Sequence, residues 1–426
     1  MSKPIEAVLV GAGDRGYDVM GRRALAHPDD LRFVAVAEPI PARLARFASA
    51  HAIPPERQYT GWKPMLAKGQ MADAMVCATL DDQHVGPTLA ALAAGYDVLL
   101  EKPMATTLAD CVRVVRAAEK AGKLLQIAHV LRYTAFFSAI YEAVSAGRLG
   151  DLVTVTHHEN VSYWHMAHSF VRGNWRNAAE QSPMILAKCC HDLDLLVWII
   201  GRPVTHVQSF GSLSHYRADQ APHPGVPARC TDGCPVEETC PFYAPRFYLG
   251  DYVGWPVSVI SEDTSLAARR EALVTGPYGR CVYRCDNDVV DHQTVNLQFE
   301  GGATAVLVMH GHSDEEGRAV RMDGTRGSLR GRFGHLGHKL TLSDHLTSRK
   351  ERVKLPDAIS GHGGGDDGLM EAFVRAMRNP AQGALTTGRE SLESHLLAFA
   401  AEESRLTGQV VEMAEFRRRA EALAES

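Results

Sequence analysis

Residues 8–16 read VLVGAGDRG, an apolar run that stops at a glycine-rich turn. Gly11, Gly13 and Gly16 fit the spacing G-x-G-x-x-G. In that spacing the first glycine permits a tight turn and the second lets the backbone approach a pyrophosphate. The third lets a helix pack on the strand. The helix start behind the turn offers unpaired N–H groups and a positive dipole end to phosphates. The context agrees, because residues 7–10 read as a strand and residues 17–26 as a helix. Asp14 and Arg15 lie inside the turn and count among the cofactor contacts. A second apolar run, 32–37, ends at Glu38, where this kind of turn calls for an acidic residue. A carboxylate there suits the adenosine ribose hydroxyls and repels a 2′-phosphate, which favours NAD over NADP.

The same texture continues outward from the turn. Strand-like runs at 5–10, 32–37, 73–76, 97–100 and 124–128 alternate with helix-like runs at 15–26, 41–50, 84–94 and 107–121. Such alternation predicts an α/β unit, a doubly wound parallel sheet of the Rossmann type, over residues 1–130. Sheets of this kind bind ligands at the carboxyl ends of their strands. Gly11, Glu38, Thr79, Glu101 and Lys102 all fall at such ends. Lys102 belongs to the triplet Glu101-Lys102-Pro103, a lone amine after the apolar run 96–100.

Beyond a connecting helix at about 134–147 the pattern changes. Strand-like runs at 151–158, 203–214, 279–285, 293–299, 303–310, 318–323 and 327–333 are joined in part by glycine turns. They predict a mostly antiparallel open sheet in an α+β unit over residues 131–426. A helix at about 190–200 is embedded in it, and helices at about 366–379 and 389–424 close the chain and brace both units. The stretch 213–275 lacks clear periodicity, yet it holds too many aromatic and cysteine residues for a solvated linker. It reads as an insertion.

Composition narrows the function classes. The chain has 426 residues, enough for two or three domains. A hydrophobic share of 45% and a net charge of −5 give no sign of a nucleic-acid or membrane partner. No apolar stretch is long enough to span a bilayer. The opening MSKPIEAVLV runs directly into the first strand, which leaves no room for a signal peptide and makes a cytoplasmic enzyme the expectation. Nine cysteines, an odd count, argue against a disulfide framework.

VLVGAGDRG, the triplet at 101–103, HDLDLLVWIIG at 191–201 and SGHGGGDDGLMEAF at 360–373, in this order and spacing, resemble the glucose–fructose oxidoreductase/inositol dehydrogenase (Gfo/Idh/MocA) family. The resemblance covers nearly the whole chain. It implies an N-terminal domain that binds NAD(P) and a C-terminal α/β domain that holds a sugar, polyol or related substrate against the nicotinamide. It implies that Lys102 contacts the reacting hydroxyl and that His191 acts there as acid and base, a task suited to imidazole near neutral pH. It also implies a homodimer or homotetramer formed through the open face of the C-terminal sheet. One departure stands out. The family often has an aspartate four residues before the histidine, where this chain has Ala187 followed by Lys188. Lys188 is therefore a third catalytic candidate, replacing the carboxylate as a substrate ligand or altering the proton relay. A solvated lysine is the competing reading.

The segment 157–177, HHENVSYWHMAHSFVRGNWRN, is rich in groups that bind sugars. Tyr163, His165, His168, Arg172, Trp175 and Arg176 are its substrate candidates, joined by His129 and Arg132 just past the last strand of the first unit. Two arginines suit bidentate recognition of an anionic group, such as a uronate or a phosphorylated sugar. A structural loop whose arginines pair with Glu159 or Glu180 is the alternative. Cys230, Cys234 and Cys240 have C-x3-C-x5-C spacing. Three thiolates in a turn-rich segment suit a structural zinc, or second an iron–sulfur cluster, with Cys190 as the fourth ligand, Cys189 and His215 as other candidates, and Cys281 and Cys285 as a further pair. Free buried thiols acting as small apolar side chains are the alternative.

Three functions follow. The first is an NAD-dependent oxidoreductase of sugars or polyols. The second is an NAD-dependent glycosidase that oxidises, eliminates, adds water and re-reduces, so that the cofactor is recycled. The third is a catalytically silent NAD-binding sensor.

Overall fold

The structure, a computed structural model, describes residues 3–334, 337–356 and 361–425. Ser360, the first residue of the stretch 360–373, lies outside the described residues, as do Met1 and Ser2 of the opening stretch. The first sheet contains β1 (Ile5–Val10), β2 (Leu31–Ala37), β3 (Gln58–Tyr59), β4 (Ala74–Cys77), β5 (Asp97–Leu100) and β6 (Leu125–Ile127). Its order is β3-β2-β1-β4-β5-β6 and every pairing is parallel. Parallel strands covered by helices on both faces need continuous apolar runs, and Val8, Leu9, Val76 and Leu99 are fully buried. The covering helices include Pro41–Ala50, Val85–Ala93 and Leu108–Ala121. The last starts at Thr107, whose side chain accepts from the Asp110 N–H, and stops at left-handed Gly122.

The second sheet has nine strands: β7 (Leu152–Ser162), β8 (Val204–Ser212), β9 (His292–Phe299), β10 (Thr304–Ser313), β11 (Gly317–Gly324), β12 (Gly327–Gly334), β13 (Lys339–Asp344), β14 (Lys350–Arg352) and β15 (Val411–Glu412). Its order is β14-β13-β12-β11-β7-β10-β9-β8-β15, and its pairs are antiparallel except β7 with β10. Strand β9 shows why one face is covered. Val295, Leu297 and Phe299 are buried while Asn296 and Gln298 are exposed, the period-two pattern of a half-covered sheet. Helices Cys190–Ile200 and Gly388–Thr407 pack in that layer.

Three sequence expectations differ from the structure. Residues 279–285 are not a strand. Arg280 makes a lone bridge to Arg229, and the Cys281 N–H donates to Ala228 O, so this segment pins a cysteine-bearing loop instead. The predicted helix 389–424 is two helices, Gly388–Thr407 and Met413–Leu423, because left-handed Gly408 ends the first. Strands β13 and β14 differ from the sequence reading: β13 has the alternation of a half-covered strand only at Leu340 and Leu342, and β14, at the sheet edge, is wholly exposed and needs none.

The insertion 213–275 is ordered. Helices Ala244–Tyr248 and Leu266–Thr275 enclose a small core of Cys230, Ala244, Tyr248, Val257 and Leu273. Buried Arg269 donates to the carbonyls of Tyr248, Gly250 and Thr264. Glu262 meets Arg43 of helix Pro41–Ala50 at 2.6 Å, which ties the insertion to the first sheet's layer.

Candidate active site

The glycine turn is shaped by steric necessity. Gly11 has φ +90°, and a Cβ there would lie 2.7 Å from Ala78 O and 3.0 Å from Thr79 N. A Cβ on Gly16 would lie 2.0 Å from Gly11 O. Gly13 faces open space, with only Arg43 Nη1 at 3.7 Å from a Cβ, which leaves room for a pyrophosphate. The helix that follows opens with a wide turn, Asp14–Gly21, before the regular helix Arg22–Ala26. Glu38 is buried at the end of β2 and accepts from the N–H groups of Ala12 (2.7 Å) and Ile40 (2.9 Å), so its carboxylate is fixed beside the turn. Burial raises the pKa of Asp14, against the pull of Arg15.

Arg15 links the turn to the lysine triplet. Its Nε donates to Glu101 Oε1 at 2.6 Å and its Nη2 to Asp366 Oδ1 at 2.9 Å. Burial would lower its pKa, but these two carboxylates raise it on balance. Lys102 stands at the end of β5 and precedes a cis peptide bond to Pro103. Its Nζ donates to Ala187 O at 2.7 Å. At the position where the resemblance leads one to expect a carboxylate side chain, the backbone carbonyl of Ala187 receives the lysine.

His191 lies in the first turn of helix Cys190–Ile200 and is buried, with Nδ1 lacking a hydrogen-bond partner among the described residues. Burial, then Lys102, His129, Arg318 and His362, push its pKa well below the usual value. The two aspartates that follow it are structural. Asp192 accepts from His157 Nε2 (2.7 Å) and Arg318 Nε (2.7 Å), and these partners outweigh burial and hold its carboxyl low. Asp194 is gripped through both oxygens by Arg132, at 2.6 and 2.7 Å. Burial nevertheless raises its pKa.

Lys188 does not point to solvent, nor does it offer an independent cation. It pairs with Glu316 at 3.0 Å and Glu159 at 3.5 Å. Burial disfavours its charge, yet the two carboxylates raise its pKa. Glu316 also takes His165 Nδ1 at 2.9 Å and both the N–H and hydroxyl of Ser162, and the ion pairs with Lys188 and His165 carry its carboxyl far below the usual range despite burial. Glu159 is paired with Arg318 at 2.6 Å, but burial raises its pKa. A compact cluster of alternating charges thus stands behind Lys102 and His191.

The remaining substrate candidates mostly serve the scaffold. Arg132, Arg172 and Arg176 differ from the anion-binding expectation. Arg132 holds Asp194 and Leu385 O. Arg172 is buried and donates to Arg280 O, Phe242 O and Cys230 Sγ, which anchors the insertion. Arg176 pairs with Asp286 and Glu180. Trp175 Nε1 donates to Asp81 Oδ1 at 3.0 Å. His168 is buried against the Tyr248 hydroxyl, and His129 is fully buried beside His191 and His395. Tyr163 remains partly exposed, and His165 meets the cluster around Glu316.

The metal expectation needs correction. Cys190 sits on its helix within reach of Lys102 and Asp81, away from the other three thiols. Cys281 takes the fourth place instead: with Cys230, Cys234 and Cys240 it lines a cavity of about 10 Å³. No group of three or more His, Cys, Asp or Glu side chains among the described residues is arranged to hold a metal ion. Burial raises the pKa of Cys240, and that of Cys281 to about 11. They fill space as small apolar side chains.

Glu316, Arg318, His362 and Asp366 are not among the site residues that the sequence suggests, and Glu159, read as a partner of the arginines at 172 or 176, pairs instead with Arg318 and Lys188. Arg318 lies directly opposite Glu159 in the β7–β11 register, a contact that no local pattern reveals. The His362–Asp366 pair has i, i+4 spacing, the one local signal available.

The buried histidines set an acid limit on stability. Burial first, with nearby cations second, lowers the pKa of His168 and His395 to about 3. Unfolded, each takes a proton near pH 6.5. Their contribution is therefore complete above that pH and is lost as pH falls toward 3. Denaturant unfolding should show stability falling below about pH 6.5 by roughly 1.4 kcal/mol per pH unit for each histidine, offset in part by Glu159. Constant stability from pH 6.5 to 4 would contradict this.

Residues 5–129 match the model of an oxidoreductase family with an NAD-binding Rossmann fold, and residues 141–413 match that family's C-terminal alpha/beta domain. YteT of Bacillus subtilis (strain 168) is 27% identical over 313 residues, covering 70% of this chain and 71% of that protein. An inositol 2-dehydrogenase of Pseudomonas fluorescens is 28% identical over 201 residues, 47% of this chain and 56% of that protein, so the match spans about half of that relative. An oxidoreductase from Agrobacterium radiobacter, crystallised with NAD+, L-tartaric acid and magnesium, superposes with a TM-score of 0.69 at 16% identity, covering 97% of this chain and 99% of that one. The WlbA dehydrogenase of Bordetella pertussis, in complex with NADH and UDP-GlcNAcA, gives 0.64 at 20% identity over 96% and 100% of the two chains. At these identities the structural likeness speaks for the fold.

Proposed function

The chain belongs to the Gfo/Idh/MocA oxidoreductase family, and from that premise we propose that it is an NAD-dependent oxidoreductase of a sugar, polyol or sugar derivative. The observation that carries this reading is the convergence of Lys102 and His191 beside a glycine turn with room for a pyrophosphate. Gly11, Gly13, Asp14, Arg15, Gly16, Glu38 and Thr79 would hold NAD, which when bound accepts a hydride from a carbinol carbon. Lys102 contacts the reacting hydroxyl from one side and His191 from the other, and together they handle its proton. Arg15 fixes Glu101 and so the backbone that carries Lys102. The complexes of the relatives with L-tartaric acid and with UDP-GlcNAcA support a polyhydroxylated substrate.

Glu38 sets the cofactor preference. Arg43, the nearby cation that could attract a 2′-phosphate, is engaged by Glu262. Glu38→Ala should weaken NAD binding about tenfold and narrow the preference over NADP, measured by calorimetric titration of both cofactors. Unchanged affinities would contradict this assignment.

A redox-neutral glycosidase shares the same site. It is favoured by the His165–Glu316–Lys188 cluster, which adds a second acid–base group near Lys102. The alternating face of the C-terminal sheet, with Val153 and Phe210 exposed, suits a homo-oligomer. A panel of free sugars, sugar acids and aryl glycosides, followed at 340 nm and for aryl alcohol release together, tests the function. NADH formation on a free sugar supports the oxidoreductase; aryl alcohol without NADH supports the glycosidase; neither, with NAD bound, contradicts both.

A further inference from the structure

His191 is a poor final station for a proton. It is 6% exposed, and no carboxylate pairs with it among the described residues. A second imidazole faces it. The rings of His191 and His362 are 6.4 Å apart, centre to centre, at 48°. This is too far for a direct hydrogen bond and suits one bridging oxygen roughly 2.8 Å from a nitrogen of each ring. His362 Nδ1 lies 2.9 Å from Asp366 Oδ2, and Asp366 is buried in the first turn of helix Gly365–Arg378. The other oxygen of Asp366 receives Arg15, which also holds Glu101 beside Lys102. His362 adopts φ +47° and ψ 37°, a left-handed conformation uncommon for a residue with a side chain. Such conformations concentrate at functional sites. Its side chain is 44% exposed, so a proton it receives has a route to water.

We propose that His362, oriented by Asp366, touches the substrate and is the terminal proton acceptor of the reacting centre. The proposal rests on the oxidoreductase reading. With Nδ1–H donated to Asp366, Nε2 carries the lone pair. The hydroxyl proton, handled by Lys102 and His191, comes to rest on His362 Nε2 as the hydride leaves the same carbon for the nicotinamide. The C–O single bond becomes a carbonyl, the cofactor is reduced by two electrons, and the imidazolium faces Asp366 until water removes its proton. Lys102 and His191 keep the oxygen in place. The titratable and charged groups around His362 are Asp366 on its own segment, Arg15 behind Asp366, His191 from helix Cys190–Ile200, and His338, which packs on Gly363. Asp366 is a positioning residue in this scheme.

The test compares His362→Ala, His362→Gln and Asp366→Asn with the parent on the best sugar of the panel, between about pH 5 and 10. It also records NAD affinity, thermal midpoint and the effect of added imidazole. The expected result for His362→Ala is NAD affinity within about threefold of the parent, kcat lower by about 10²–10⁴, loss of the acidic limb of the pH profile, and partial rescue by imidazole. Asp366→Asn should move that limb to lower pH. Where His362→Ala melts early, His362→Gln is read in the same way. Full kcat, or a loss with an unchanged acidic limb and no rescue, overturns the proposal and leaves the oxidoreductase reading standing. A parent chain that binds NAD and turns over no sugar overturns both.

Discussion

Lys102→Ala should bind NAD as the parent does and lose turnover by about 10²–10⁴-fold. The two expectations separate because two different elements carry them. In the proposed function the cofactor would be held by the turn after β1 and by Glu38, whose contacts do not involve the Lys102 amine. That amine reaches across to Ala187 O, one residue before Lys188 of the charge cluster and four before His191. Removing it would take away the donor proposed to meet the reacting hydroxyl and leaves the glycine turn intact. Lys102→Arg should not restore the rate, because a planar guanidinium cannot reproduce the compact donor geometry of an ammonium. Calorimetry with NAD and steady-state rates on the same preparations give both numbers. Parental turnover in Lys102→Ala would remove the lysine from the chemistry.

Arg132→Ala should destabilise the fold by about 3–5 kcal/mol, the expected cost of leaving a buried charge without its partner. Arg132 is 3% exposed and Asp194 is 1% exposed, and the pair is bidentate. The guanidinium also donates to Leu385 O and stacks near Trp198, so its loss opens a seam between the residues after β6 and helix Cys190–Ile200. That helix carries His191, so a loosened helix reaches the active site. Replacing both partners, Arg132→Leu with Asp194→Leu, should recover most of the stability, since apolar side chains of similar volume often match a buried ion pair. Denaturant midpoints measure this. A shift below about 1 kcal/mol in Arg132→Ala, together with a raised KM, would return Arg132 to the role of substrate contact.

The parts of this account that could be read from the sequence are those with local causes. The turn at Gly11 and Gly16 is dictated by contacts a side chain would fill, and the apolar runs of β1, β2, β4 and β5 follow from burial on both faces. Lys102 and His191 were legible through motif and resemblance. The charge cluster was not, because Glu316 meets Lys188 across 128 residues and Arg318 meets Asp192 across 126. The pairing of β7 with β11 sets Arg318 beside Glu159, and Lys188 and Asp192 reach this pair from the segment that starts helix Cys190–Ile200. For Arg176 the structural alternative holds in part, since it meets Glu180 four residues on, but its other partner Asp286 and Phe242 O, the partner of Arg172, are 110 and 70 residues away and leave no local sign. The cysteine spacing suggested three metal ligands, yet the fourth member of that cavity, Cys281, came from a segment that looked like a strand.

The central claim is hydride transfer between a carbohydrate carbon and NAD at Lys102 and His191. Incubating the protein with NAD and a carbon-deuterated member of the sugar panel, then weighing the recovered nicotinamide cofactor, tests it most directly. Hydride transfer at this site yields reduced cofactor heavier by one deuterium, absent in Lys102→Ala. Cofactor recovered unlabelled and fully oxidised, with the sugar also retaining every deuterium and its glycosidic bond, would contradict it.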